Sequence, residues 1–535
     1  MNKISISELS YYLFFGLLLF AKGIGLYDGQ KIFYAFLLTA ALFWLIKMVT
    51  TSYSLTEFAV IALLGVLGVI NWRISEDKSA LITIMVIVGL KNIPIKRLFK
   101  LSLAIWTVSF FGTITAYALG LHSTYLMVQD KLGGFWLRDS LGQTHPNVLH
   151  VCYLVFICLW FVVYEFKGKK LIIASGLALA GSIIVYLFSW SNTGFIMVLA
   201  FLIAVIYFEF RNKISVVEKV GIFALTPIFV CTSLILPAFV EVGTRAHEIL
   251  YKLTNTRSYL THIAYEEIPV PLLGVKIENM PKNFSLDCSF AYGLYYWGII
   301  LLVVSMIGIL GLIVHLFRQK RFIELAMTLA FMFGGMTEQF LYNFSFKNFI
   351  WVLLGEYMFV VLEIMNEKLP QKHTVKMIST NIQIPAALTD GICKFKTAWT
   401  DALNKHGKSA IIVALVGLLI GGGLGIALIH EPTYLVVNRE KSSYVDGKFY
   451  YLIYGELDEE IKNDSRKLEI NSDEEKCYVF QDETVKFTEN RERFGAALYG
   501  MAIAVILYGT LVWIKDRKTD ADMASEKGKN EEITQ

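Results

Sequence analysis

The stretch Arg138-Asp-Ser-Leu-Gly-Gln-Thr-His145-Pro146-Asn147 brings a guanidinium, an imidazole and a side-chain amide to the entrance of an apolar run. Arginine offers a permanent, planar fork of donors, and histidine titrates near neutrality, so the pair could bind an anion and handle a hydroxyl proton. Pro146 suits the first turn of a helix, where its missing N–H costs nothing. The plainer reading is that Thr144 or His145 merely caps that helix. A second stretch, Gly334-Gly335-Met336-Thr337-Glu338, sets a carboxylate after two glycines that would let backbone approach a ligand. Its plainer reading is a solvated loop acid. The six cysteines show no CxxC spacing, most fall in apolar runs, and they form neither a disulfide framework nor a zinc site.

The elements that must position these groups are transmembrane helices. Of 535 residues, 55% are apolar and only 18% charged, and the mean hydropathy is +0.54. A soluble chain of this length needs more polar surface. Apolar runs long enough to cross a ~30 Å hydrocarbon slab recur, and in lipid each must satisfy its own backbone as a helix. The expected fold is an all-α polytopic membrane protein of about 14 spans. They fall at 9–26, 32–49, 56–71, 77–90, 100–119, 147–165, 171–189, 193–210, 217–238, 289–315, 321–337, 347–364, 409–429 and 494–514. The fourth and eleventh are short enough to be re-entrant. The first has no cleavage signature behind it and reads as a retained anchor.

Lys and Arg cluster in alternate loops, around 91–100, 167–170, 211–219, 318–321 and 366–408 and after Trp513, which makes that side cytoplasmic and puts both termini inside. The net charge of +4 sits in those loops and points to no nucleic-acid partner. Three long segments then lie outside: 120–146, a large loop 239–288, and 430–493. Six of the nine histidines (122, 145, 150, 247, 262, 430) fall on or near that face. Ser258 and Asp464 are expected outside, and Lys169 and Arg318 inside. From Asn438 to Arg493 fifteen acids face ten bases, a net of 10 − 15 = −5, with strand-like alternation. This reads as a small β-rich ectodomain between the last two spans, after a cytoplasmic linker 366–408 and the helix 409–429, and before the helix 494–514 and the polar tail 515–535. No internal repeat is evident, which counts against an inverted-repeat transporter. Glu356 is an intramembrane acid, at ~2–3 kcal/mol or more for a central charge, and is expected to face a polar bundle interior.

Over residues 1–365 the chain resembles the Wzy-type polysaccharide polymerases of the O-antigen polymerase and ligase superfamily. The resemblance rests on four segments in order: the Arg138…His145-Pro146-Asn147 stretch; Ser189-Trp-Ser-Asn192-Thr193-Gly194, with Asn192 where the family usually has Arg; Asn255-Thr-Arg257 followed by Pro271-Leu-Leu-Gly274; and Leu286-Asp287-Cys288-Ser289-Phe290 ahead of Gly298-Ile299. The segment from 409 onward lies outside it.

The resemblance implies transfer of a growing glycan from its polyprenyl diphosphate onto the next lipid-linked repeat unit, outside the cell membrane, for a capsule, O-antigen or exopolysaccharide. Arg138, Arg245 and Arg257 become candidate forks for the diphosphate, whose charge grows as it leaves. His145, Asp287 or Glu338 would orient or deprotonate the attacking hydroxyl, with Asn147 and Asn192 beside the substrate. Lipid-linked donors require no cytoplasmic metal-binding Asp-x-Asp, and the one such motif, Asp520-Ala-Asp522, lies in the polar tail; no cofactor or metal is expected. A flippase and a chain-length regulator are the implied partners besides the bilayer. The rival readings are a ligase, which differs only in acceptor, a transporter or flippase of the same lipid-linked sugars, and a scaffold.

Overall fold

A helix lies within each of the fourteen apolar segments. In the computed structural model the described residues are 4–131, 134–211, 213–254, 257–278, 284–343, 345–367, 405–430 and 482–533, with short strands between 374 and 479. The first helices are α1 (Ile6–Gly23), α2 (Lys31–Val49), α3 (Leu55–Ser75), α4 (Ser79–Val88) and α5 (Ile95–Ala118). Next come α6 (Pro146–Tyr164), α7 (Gly168–Ser189), α8 (Asn192–Phe210) and α9 (Val216–Phe239). Two short helices follow, α10 (Arg245–Thr254) and α11 (Arg257–Glu267), then α12 (Ser289–Arg318), α13 (Phe322–Gly334) and α14 (Ile350–Glu367). The last two are α15 (Gly407–Leu428) and α16 (Asp482–Ile533).

Among the described residues ten helices are long and apolar enough to cross a membrane: α2, α3, α5 to α9, α12, α15 and the Lys486–Lys515 part of α16. The chain is a mostly helical, multi-pass membrane protein. The apolar helices α4 and α13 are shorter than a span. α1 carries Glu8 and Lys22, and α14 carries Glu356, Glu363 and Glu367, so neither is uniformly apolar. Two helices contain π turns the sequence did not announce, Cys231–Ile235 in α9, four residues after Pro227, and Gly293–Trp297 in α12.

The helices belong to two compact units. One comprises Ser5–Thr124 and Ser140–Ile382. Its core is a continuous apolar cluster centred on side chains such as Trp106, Phe161, Phe201, Phe290 and Phe331. Three of its acids are paired: Glu8 bonds Arg97 at 2.9 Å, Glu57 bonds Lys91, and Glu356 accepts from Arg321 at 2.7 Å. The acid expected within the membrane is thus one half of an ion pair with Arg321, the N-cap of α13, which offsets the cost of taking a lone charge out of water.

The other unit comprises Met1–Ile4, Tyr125–Asp139 and Gln383–Gln535. In this unit β1 (Leu126–Lys131) and β2 (Gly134–Asp139) form an antiparallel pair in which Met127 faces Arg138. It docks on α16: the Trp136 and Phe487 rings lie 5.2 Å apart, and Arg491 donates to the Leu137 carbonyl at 2.8 Å. A loop expected to serve the residue 1–365 core therefore packs with the C-terminal helices. α15 and α16 meet through Gly417, Gly421 and Gly425 against Ala496, Gly500 and Ala504, and a Cβ on Gly421 would come within 2.4 Å of the Ala496 carbonyl. Small residues bring helices to this separation where lipid removes the hydrophobic drive. Within 430–493 the described strands β3 (Val436–Asn438), β4 (Tyr451–Leu452), β5 (Glu469–Ser472) and β6 (Glu475–Val479) form an antiparallel sheet of order β4-β3-β6-β5. The remainder of the expected ectodomain up to Gln481, Asp464 included, and nearly all of the linker 366–408, lie outside the described residues. The tail is helical to Ile533, and Asp520 and Asp522 fall on α16.

Candidate functional site

Pro146 opens α6 at its first helical position, and His145 is its N-cap. The imidazole Nδ1 accepts the Asn147 backbone N–H at 3.1 Å, so the cap is the histidine, not Thr144. An Nδ1 that accepts must be unprotonated, which leaves the ring proton of the neutral tautomer on Nε2. In this arrangement Nε2 is the donor atom of the ring. Asn147, one residue beyond the proline, donates its side-chain amide to Glu338 Oε1 at 3.0 Å, across 191 positions of sequence.

Glu338 stands on a turn that ends α13. Its own N–H bonds the Gly334 carbonyl at 2.9 Å, and the Thr337 N–H reaches the same carbonyl at 3.1 Å. Ser289, the first residue of α12, stitches the turn: its N–H donates to Gly335 O at 2.8 Å, its hydroxyl donates to Glu338 O, and Ser289 Oγ accepts from Leu341 N at 3.1 Å. The space at the two glycines is taken by protein, not left for a ligand. A Cβ on Gly334 would meet Met197 Cε at 2.1 Å, and one on Gly335 would meet Leu341 Cδ1 at 2.3 Å. The glycines serve close packing, and the glutamate is half-buried rather than a solvated loop acid.

Arg257 begins α11. Its Nε donates to the Thr337 carbonyl at 3.1 Å, and its Nη2 lies 3.4 Å from Asp287 Oδ2. The arginine is 14% exposed and the aspartate 31%, so the pair sits at a boundary rather than in open water. His145, Asn147, Glu338, Thr337, Arg257, Asp287 and Ser289 thus form one connected set drawn from four separate stretches of chain. Two hydroxyls beside it, Thr337 Oγ1 and Ser258 Oγ, are buried without a hydrogen-bond partner among the described residues. An unmade bond of this kind costs about 1–3 kcal/mol. Burial pushes the Cys288 thiol up, which removes it as a nucleophile.

Arg138 is 3% exposed, on β2 beside Met127 Sδ at 3.9 Å, in the unit that holds α15 and α16. Arg245 is exposed at the start of α10 and makes no ion pair among the described residues. Asn192 accepts from the Tyr186 hydroxyl at 2.8 Å. His150 is buried inside the bundle, within hydrogen-bond distance of Ser182 at 2.9 Å and Ser189 at 3.3 Å, and Gly194 abuts its ring. Ser258 is 2% exposed and cannot report on solvent access.

The two remaining motifs are backbone devices. Asn71 of α3 donates its amide to Leu273 O at 2.9 Å, Tyr296 O at 2.8 Å and Trp297 O at 3.1 Å. It pins Pro271-Leu-Leu-Gly274 against the π turn before Gly298. Gly274 has φ +90° and Gly298 φ +79°, and a Cβ on Gly298 would fall 2.3 Å from Gly274 N. Neither position accepts a side chain. Asn71 and Ser289 escaped sequence reasoning as site-builders, since their partners are mostly main-chain atoms that leave no mark on residue type.

Among the described residues no three His, Cys, Asp or Glu gather in a way that could hold a metal ion. Compared with known protein families, characterised proteins and solved structures, the chain matches none.

Proposed function

We propose that the chain is a glycosyltransferase of the Wzy type, polymerising polyprenyl-diphosphate-linked oligosaccharides at the outer face of the cell membrane. The observation that carries this reading is the convergence of His145, Asn147, Arg257, Asp287 and Glu338, chosen from separate motifs, on one half-buried cluster. A hydroxyl oxygen of the acceptor repeat attacks the donor's anomeric carbon. The bond from that carbon to the diphosphate oxygen breaks, the polyprenyl diphosphate leaves with the electron pair, and the hydroxyl proton passes to a base. Glu338, whose Oε1 accepts from the Asn147 amide, is our base, since Asp287 faces a guanidinium and His145 Nδ1 is occupied by the cap. His145 then orients a sugar or phosphate oxygen through Nε2. Arg257 stabilises the leaving diphosphate, exchanging part of its contact with Asp287 for phosphate oxygens.

The fuller arrangement belongs to the same proposal: fourteen spans, both termini cytoplasmic, a flippase and a chain-length regulator as partners, and an acidic β-rich module at 438–493 that guides glycan or partners. The test is incubation of the purified protein with defined lipid-linked repeat units, with and without a chelator. Ladders of longer lipid-linked glycan that survive chelation are expected. No extension, with movement of lipid-linked sugar across vesicles instead, would replace the polymerase by a flippase.

A further inference from the structure

α10 presents three different faces. At 3.6 residues per turn, Leu250 and Thr254 lie on one side and are 5% and 0% exposed, packed on the protein. Arg245, Glu248 and Lys252 fall together on the far side, in solvent. Between them runs a third stripe, Ala246, Ile249 and Leu253, that is apolar yet uncovered, with Ile249 54% and Leu253 67% exposed. The helix starts six residues after Phe239, where α9 ends. The exposed face of that span, Ile228, Ile235, Leu236 and Phe239, runs through Val242 into the stripe, with Phe239 80% and Val242 52% exposed. α11 fixes the level: His262 Nδ1 donates to Pro237 O at 2.8 Å, Tyr265 donates its hydroxyl to Leu234 O at 3.0 Å, and Ser258 N donates to Thr254 Oγ1 at 3.0 Å.

From this placement we infer that α10 lies in the plane of the membrane surface, with Ile249 and Leu253 in the acyl boundary of the leaflet that Phe239 reaches. Continuity with the lipid-facing side of α9 identifies the occupant as lipid rather than protein. The charged stripe alongside matches an interfacial helix, which buries one face at the headgroup–acyl boundary and keeps its cations in the headgroups. Arg245 then meets lipid headgroups, and the helix holds the α11 that carries Arg257 at a set depth. The inference requires only that the chain spans a membrane, and is independent of glycosyl transfer.

The test places a single bimane-labelled cysteine at Ile249, Leu253, Glu248 or Lys252 of the full chain in lipid nanodiscs, with native cysteines replaced. Lipids brominated high on the acyl chain should quench positions 249 and 253, and aqueous iodide should quench 248 and 252. Equal iodide quenching at all four, or shielding of 249 and 253 from both quenchers, would overturn the inference. A second measurement keeps the native cysteines: a photoreactive residue at Leu253 should yield a lipid-mass adduct and one at Glu248 should not. A chain-to-chain adduct at Leu253 would again overturn it.

Discussion

Arg257 engages two acceptors at once, a backbone carbonyl through Nε and a carboxylate through Nη2. Lysine cannot reproduce that fork. Arg257→Lys should therefore lose most transfer activity although charge is kept, and Arg257→Ala more, by ~3 kcal/mol or around a hundredfold. Lys252→Ala, on the solvent stripe of α10, should be nearly silent. Membrane-inserted protein is matched first, and near-normal turnover by Arg257→Ala would remove the diphosphate clamp. The base is separated from a structural acid by Glu338→Gln, which keeps an acceptor for the Asn147 amide while deleting the negative charge. Thermal stability should stay close to the parent and the rate should fall by 10²-fold or more, as expected for loss of a general base. Equal loss of stability and rate would make Glu338 a strut for the turn at 334–338.

Among the elements, the π turn of α12 and the loop after α11 share a seam that the Asn71 side chain holds together with backbone bonds such as Val275 N to Tyr295 O at 2.9 Å. Asn71→Ala leaves the carbonyls of Leu273, Tyr296 and Trp297 short of a donor. That should cost about 1–3 kcal/mol, read as a lower melting midpoint in detergent. Gly298→Ala should be worse, since its Cβ collides with fixed backbone and the φ is left-handed. If Asn71→Ala melts with the parent, the seam is held elsewhere. The start of α12 serves both the seam and the site, because Ser289 ties Glu338 to it four residues before the π turn. A disturbed seam is thus expected to move the site even though no site residue has changed.

For the molecule as a whole, orientation rests on the alternation of basic loops. A single cysteine in place of Glu266, whose side chain is 64% exposed, should react with an impermeant thiol reagent in intact cells. Cysteines in place of Lys169 and Arg318, both exposed, should react only once the membrane is opened. Protection of position 266 in intact cells would invert the arrangement. Glu266 replaces Ser258 in this experiment, because a thiol at Ser258 would be hidden by packing on either side of the membrane.

Composition and run length carried the membrane class and the helical segments, since a stretch such as Asn192–Phe210 has no other way to satisfy its backbone in lipid. Local chemistry carried the start of α6, where Pro146 and a cap at Thr144 or His145 follow from neighbours one or two residues away, and the fold chose the histidine. Depth, partnership and unit membership depended on residues far along the chain. Ser258 and His150 look like loop and helix-entrance polar groups in sequence but are buried, and apolar runs do not reveal which side faces a neighbour. The strand that carries Arg138 packs through Trp136 and Leu137 on α16, and Arg257 reaches Asp287 and the Thr337 carbonyl, partners that no local pattern announces. Even the two glycines before Glu338 took their meaning from Met197 and Leu341, side chains that only the folded chain brings against them.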